Sequence, residues 1–424
     1  MFSCDFILRL SSEIFKNRTI LILKPSLIRG LTELYGKDTS DLFFFIQSRN
    51  ESYALLFIFV KLICNVMLQK KILIIYPETR STRVAIYRNT EPLFLKAIKH
   101  PAEELAHFKT IPDQMPYRRD AILAELKRND FNIELVEIIM ARSGLVKPLK
   151  SGVYRINEKM IADLKVGIMG VHETNLGGLI AYDIAKSIGK QAYMADPVVV
   201  DELSDLARIT GHPLFVRKSI FHALSHKHFA RKYAKSINRN YEDLNLIFCH
   251  VGLGGISIGA HSKGLVVDVN QAFDGGGPFS ITRSGTLPVG QLINYCFSGK
   301  ATEAEVLKMV NSQSGYSAYL GTDSISQIDK MIAEGDEKAL FISEACAYQV
   351  SKEIASHFAT LEGNVDAIIL TGNIFNSELF LENVKKRVGK LAPIALYPSI
   401  NDLEAHAVNA LRVLKGEVEV KEYE

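Results

Sequence analysis

Tryptophan is absent from this chain, as are any C-x-x-C pair and any Cys/His spacing of the zinc-site kind. Its five cysteines, Cys4, Cys64, Cys249, Cys296 and Cys346, are scattered over 424 residues. An odd, dispersed set in so long a chain argues against a disulfide framework and for a reducing compartment, the cytoplasm. Long basic runs and stripes of mixed aromatic and basic residues are missing too, and a formal net charge of +3 is too small to suggest nucleic acid as a partner. Weak steering of anionic ligands is the most that this balance supports. No apolar run reaches the roughly 18 residues of a membrane-spanning helix. The stretch Tyr53 to Val60 is broken by Lys61 and Asn65, and it lies too far along the chain, without a small-residue cleavage site, to be a signal peptide. Neither G-x-x-x-x-G-K-[ST] nor a strand-linked G-x-G-x-x-G occurs, so neither a P-loop nor a Rossmann fold is expected.

What is present suits a soluble globular protein of two or more domains: 47% apolar and 23% charged residues over this length. Residues 1–66 differ in texture from the rest, and Met67 stands just before the strand-like Lys70 to Ile75. This segment is expected to be an extension outside the working protein. From residue 71 the pattern is α/β. Ile72–Ile75 and Val84–Tyr87 read as strands around a turn at Tyr76–Thr82, followed by amphipathic stretches at Arg118–Lys127 and Glu158–Leu164. A second set begins near Asn245, with strands at Leu246–Cys249, Ile256–Ala260 and Leu265–Val269. Two such sets half a chain apart suggest two similar halves around a cleft. A further buried strand, Val365–Leu370, runs into Thr371-Gly372-Asn373 and a helix from about Ser377.

Three strand-to-turn junctions carry phosphate-binding chemistry. In His250-Val251-Gly252-Leu253-Gly254-Gly255-Ile256-Ser257, glycines let backbone N–H groups turn toward an anion and Ser257 adds a hydroxyl. Gly372 and Asn373 open a helix after a strand, a favourable place for nucleotide contacts. Pro77 to Arg83 offers Ser81, Thr82 and Arg83. Read alone, each is equally a tight turn. His222 and His226 lie four apart, on one face if helical, but no Glu follows the first, which argues against a zinc protease. Arg283, in Thr282-Arg283-Ser284-Gly285 after the glycine-rich Asp274 to Pro278, taken alone would be a solvated loop cation.

Taken together and in order, a series of stretches resembles the acetokinase family, on its butyrate kinase branch, within the superfamily that also holds actin and the sugar kinases. They are Gly144 to Pro148, Asn175 to Ala181, Asp196 to Glu202, Arg217 to His226 and His250 to His261. Asp268 to Ala272, Gly277 to Ser280, Arg283 to Pro288, Tyr319 to Thr322 and Leu370 to Gly372 follow, and the likeness covers about residues 71 to 415. The resemblance implies two actin-like (ribonuclease H-like) α/β domains around a nucleotide cleft. The first would be 71–198 plus 395–424, the second 199–394, with nucleotide contacts and the surface of a homodimer or higher homo-oligomer. It implies ATP and ADP, a short-chain fatty acid such as butanoate, and Mg²⁺. Asp196 would orient the Mg²⁺-bound phosphates, His222 would bond the transferring phosphoryl group, and Arg283 and Arg142 would supply cations. At Asn401-Asp402-Leu403-Glu404 a metal-side carboxylate is implied, Glu404 or Asp402.

The chain departs from the family at its nucleotide turns. The family's N-P-G-S-T-S-T-K is Tyr76-Pro77-Glu78-Thr79-Arg80-Ser81-Thr82-Arg83 here, the second turn is one residue longer than H-x-G-x-G, and Asn373 replaces a frequent glycine. A carboxylate near polyphosphate is unfavourable unless a cation pairs with it. A nucleotide- or acyl-binding paralogue without turnover, or a kinase for another short or branched acid, are the alternatives.

Overall fold

The computed structural model describes residues 69–252, 255–399 and 402–424. The expectations for residues 1–66, including the Tyr53 to Val60 run, lie outside the described residues, as does Gly254. Among the described residues no helix is long and apolar enough to cross a membrane.

The strands are β1 (Lys71–Pro77), β2 (Ser81–Arg88), β3 (Glu91–Lys99), β4 (Ile138–Ala141), β5 (Val153–Arg155) and β6 (Ala192–Ala195). They continue with β7 (Asn245–Gly252), β8 (Gly255–Ser262), β9 (Leu265–Val269), β10 (Ala367–Thr371), β11 (Ile394–Tyr397) and β12 (Val420–Lys421). One sheet has the order β12-β5-β6-β4-β1-β2-β3, the other β11-β10-β7-β8-β9. Each contains the same unit. An antiparallel meander (β1-β2-β3 or β7-β8-β9) continues, on the free side of its first strand, into two parallel strands (β4 and β6, or β10 and β11). The repetition expected from sequence is therefore one of topology. The second sheet's outer strand extends to Tyr397.

The principal helices are α1 (Met115–Arg128), α2 (Glu158–Val166), α3 (Asn175–Ser187), α4 (Ala223–Ser236), α5 (Glu337–Thr360), α6 (Glu378–Val388) and α7 (Asp402–Leu414). β1 is apolar from Ile72 to Ile75 because both its faces are covered. Leu73 and Ile75 join the core with Leu176 and Ile180 of α3, and Ile72 and Ile74 join the core with Leu403, Ala407 and Ala410 of α7. Local chemistry sets the ends of α2, where the Asn157 side chain accepts from Met160 N and Gly167, at φ 71°, closes the last turn. Several elements escaped the sequence reading, β4, β5, β6 and β11 among them. β3 is an exposed edge strand with no apolar alternation to reveal it, and α5 lies outside the stretches singled out. The turn expected over 76–82 is shorter, since β1 runs to Pro77 and β2 starts at Ser81, pairing Tyr76 with Arg83 and Pro77 with Thr82.

Candidate active site

The carboxyl ends of β1, β4, β7 and β10 bring Tyr76, Arg142, His250 and Thr371 toward one another, the position where open α/β sheets bind ligands. Arg142 directly follows β4 and is set by α3. A Cβ on Gly177 would collide with the Arg142 carbonyl, and Asn175 Oδ1 accepts from Leu145 N at 2.8 Å. The Asn175 to Gly178 motif thus clamps the segment that carries the arginine. Arg142 Nη1 donates to the Pro77 carbonyl at 2.5 Å, and its guanidinium lies 4.4 Å from the Tyr76 ring centre. Arg83 stacks on the same ring at 4.2 Å.

Tyr76 donates its hydroxyl to Asp402 Oδ2 at 2.8 Å, and Ser225 Oγ donates to Asp402 Oδ1, also at 2.8 Å. Burial alone would raise the Asp402 carboxyl; His250, these two hydroxyls and His222 outweigh it and hold it below its ordinary value. Burial, His250, Arg283 and Arg142 together push His222 well below its ordinary value, so its ring is neutral at physiological pH. The His222 and His250 rings lie 4.4 Å apart. His250 Nδ1 is 3.0 Å from Thr371 Oγ1, and burial pushes this imidazole down to about 4. Burial likewise brings Arg283 down to about 10 against the opposing pull of Asp274. Its guanidinium lies 5.4 Å from the Phe273 ring centre, and its side chain fills the space beside Gly255, where a Cβ would approach within 3.1 Å. Burial lowers His172 as well; Glu173 opposes this, while Arg142 and Arg283 add to it. Arg83, Arg142 and Arg283, neutral histidines and the anionic Asp402 thus lie together.

The structure gathers Arg283, His222 and Arg142, and it gives the other candidates partners of their own. Asp196 ends β6, but its Oδ1 accepts from Ser151 Oγ at 2.5 Å and Gly152 N at 2.9 Å, and Oδ2 meets Arg231 at 3.2 Å. Glu404 pairs with Lys232 at 3.6 Å, whereas Asp402 is the carboxylate of that segment beside His222 and His250. Thr82 is wholly buried, bound to His100 at 2.9 Å and to Arg118 at 3.3 Å, because strand alternation in β2 turns it inward. Ser81 donates to Glu78 at 2.6 Å, and Arg83 pairs with Glu78 at 3.0 Å, so the added carboxylate has both a hydroxyl and a cation. Ser257 is buried between His222 and His226. Gly252 and Gly255 flank the β7–β8 turn, Gly255 at φ 116°. Gly372, at φ 118°, is demanded by packing, since a Cβ would strike the Val251 carbonyl; Asn373 is exposed at the start of a short 3-10 turn. Sequence reasoning passed over Arg118, which is fully buried and binds the carbonyls of Glu78, Thr79 and Ser81, holding the first turn in shape.

A model of the acetokinase family matches residues 204–406. Butyrate kinase 2 and butyrate kinase 1 of Clostridium acetobutylicum are each 46% identical to this chain over 353 residues, which is 83% of it and 99% of each relative. Among solved structures, an acetate kinase from Porphyromonas gingivalis aligns with a TM-score of 0.65 at 17% identity, covering 81% of this chain and 100% of that one. A propionate kinase from Francisella tularensis gives 0.63 at 16% identity, covering 80% and 98%. At those identities the likeness is one of fold, and it agrees with the paired α/β halves expected from the sequence. The long match to the Clostridium relatives places the chain beyond fold likeness: it belongs to the acetokinase family.

Proposed function

We propose that this chain is a short-chain carboxylate kinase that transfers phosphoryl reversibly, ATP and butanoate giving ADP and butanoyl phosphate. The observation that carries the reading is the convergence of Arg142 and Arg283 on the neutral His222, in a chain whose close relatives are butyrate kinases. A carboxylate is already ionised and nucleophilic at neutral pH, so no general base is needed. The work lies in bringing two anions into line and neutralising charge on the equatorial oxygens. Arg283 and Arg142 supply that neutralisation, and His222 offers a hydrogen bond without adding a competing charge.

Mg²⁺ carried by the nucleotide would be met by Asp402, and it would screen the charge of the β- and γ-phosphates. Its donor chemistry fits: Mg²⁺ is commonly held by one or two carboxylates plus substrate phosphates, and Asp402 is an anionic carboxylate beside the arginines. Among the described residues no group of three or more His, Cys, Asp and Glu could hold an ion unaided. We place the reaction in the cytoplasm, where ATP is supplied. Exposed apolar side chains such as Ile293, Phe297, Phe341 and Tyr348 support a homodimer through the second half.

Hydroxylamine traps acyl phosphates as hydroxamates. The purified protein, given ATP, Mg²⁺ and acetate, propionate, butanoate or pentanoate in turn, should form hydroxamate most rapidly with butanoate. No hydroxamate with any acid would overturn the reading, and a faster rate with a different acid would correct the substrate.

A further inference from the structure

Ser257 and His261 lie four residues apart in β8, on the same face by strand alternation, and His226 follows His222 by one turn at the start of α4. A continuous file of hydrogen bonds joins them. The Tyr241 hydroxyl is 2.8 Å from His261 Nδ1, and His261 Nε2 is 3.1 Å from His226 Nδ1. His226 Nε2 is 3.0 Å from Ser257 Oγ, which is 2.9 Å from His222 Nδ1. Tyr241, His261, His226 and Ser257 are all buried. Burial pushes His226 and His261 well below the ordinary imidazole value, so each carries a single ring proton.

One acceptor sets the direction of the whole file. His226 Nε2 also faces the Ser257 carbonyl oxygen at 3.3 Å, and a carbonyl can only accept. The proton of His226 therefore sits on Nε2, and its bare Nδ1 accepts from His261 Nε2–H. His261 Nδ1 is bare in turn and accepts from the Tyr241 hydroxyl. At the other end Ser257, having accepted from His226, donates to His222 Nδ1, which leaves the His222 proton on Nε2. The reverse direction would leave the Tyr241 hydroxyl proton without an acceptor among the described residues, in a buried place where such a loss is unfavourable. On the carboxylate kinase reading it would also leave His222 Nε2 without a proton to offer an anionic substrate.

We propose that Tyr241, His261, His226 and Ser257 form a buried tautomer lock that holds His222 as an Nε2–H donor toward the transferring phosphoryl group. They are positioning residues; none touches the substrate. Bonds in such a file polarise one another, so a break at any link is felt at its end.

The test combines ring-¹⁵N histidine spectra with kinetics, the His222 signals being assigned by their loss in His222→Gln. In the wild type His222 should show a bare Nδ1 and a protonated Nε2. Ser257→Ala should give a mixture of tautomers and lower kcat by about 10- to 100-fold, the scale seen when metal-bound histidines lose their outer partners. KM for ATP and acid should stay within about twofold, and Ser257→Thr, which keeps the hydroxyl, should restore both spectrum and kcat. Tyr241→Phe removes only the hydroxyl at the far end, leaving every residue of α4 and β8 unchanged, and should shift the His222 signals in the same direction; it decides the matter if Ser257→Ala fails to fold. A His222 protonated on Nδ1 in the wild type would overturn the proposal, and so would unchanged His222 signals in the variants. The kinetic arm rests on the carboxylate kinase reading, whereas the spectra do not: wild-type protein without hydroxamate formation would sink that reading, with the tautomer still read directly.

Discussion

The Tyr76 hydroxyl stands 2.8 Å from the Asp402 carboxylate across 326 positions of sequence, tying the end of β1 to the first turn of α7. Ser225 of α4 holds the other oxygen, so one carboxylate joins three elements at the site. Where the family has asparagine, the chain has a phenol that grips this carboxylate and carries two arginines on its ring.

Asp402 and Glu404 should therefore part company on mutation. Asp402→Asn is expected to lower kcat on the order of 10²-fold, the usual loss for one preorganised electrostatic group. Glu404→Gln gives up a partly exposed pair with Lys232 while leaving Asp402 in place, and should stay within about twofold of wild type. Hydroxamate rates for the two proteins check this; equal losses would show that both carboxylates serve the reaction.

Glu78→Gly frees Arg83 from its 3.0 Å partner at the edge of the nucleotide site. Pairs this exposed are worth about 0.2–1 kcal/mol, so ATP should bind up to about fivefold tighter. Calorimetric titration reads the effect directly. Weaker binding would mean that the carboxylate helps to hold the nucleotide.

Arg283→Ala removes a cation whose counterpart in phosphoryl transfer is worth about 10³–10⁵ in rate. Acyl phosphate formation should fall by that order while the circular dichroism and melting temperature stay near wild type. Near-normal turnover in the folded variant would remove Arg283 from the mechanism.

Stability should fall in acid. Burial brings His250, His228 and His406 down to about 4 in the folded state, against about 6.5 in an unfolded chain. The folded value is the lower one, so this contribution is fully present above about pH 6.5 and is lost as pH falls through the folded values. Within that window each such histidine adds a slope of about 1.4 kcal/mol per pH unit. Urea midpoints should hold between about pH 8 and 7 and drop steeply from about pH 6 downward; a flat profile would mean that these rings are already charged in the native protein.

His222 and Arg283 stand inside ordered motifs of the family and Arg142 two residues before one, which is why the sequence singled them out. Asp402 against Glu404 was not legible. Two positions along a helix differ by about 200° of rotation, and the sequence alone does not set the phase. Thr82 misled for a similar reason, since the turn before it ends two residues earlier than its composition suggests and alternation then turns the hydroxyl inward onto Arg118. Tyr241 and His261 carry no local mark. Their meaning comes from α4 crossing β8, a contact between segments far apart in the chain.

The placement of α7 bears on how the protein is made. Ile72, Ile74, Ile138 and Met140 form one apolar face of the first sheet, and Leu403, Ala407 and Ala410 cover it. During synthesis that face emerges from the ribosome early, while its cover emerges only after every strand of the second sheet. At about 5–20 residues per second, the interval is long enough for the second half to fold while the first still exposes sticky surface. The nascent first half therefore keeps this face uncovered until α7 emerges, and α7 completes both its core and, through Asp402, the candidate site.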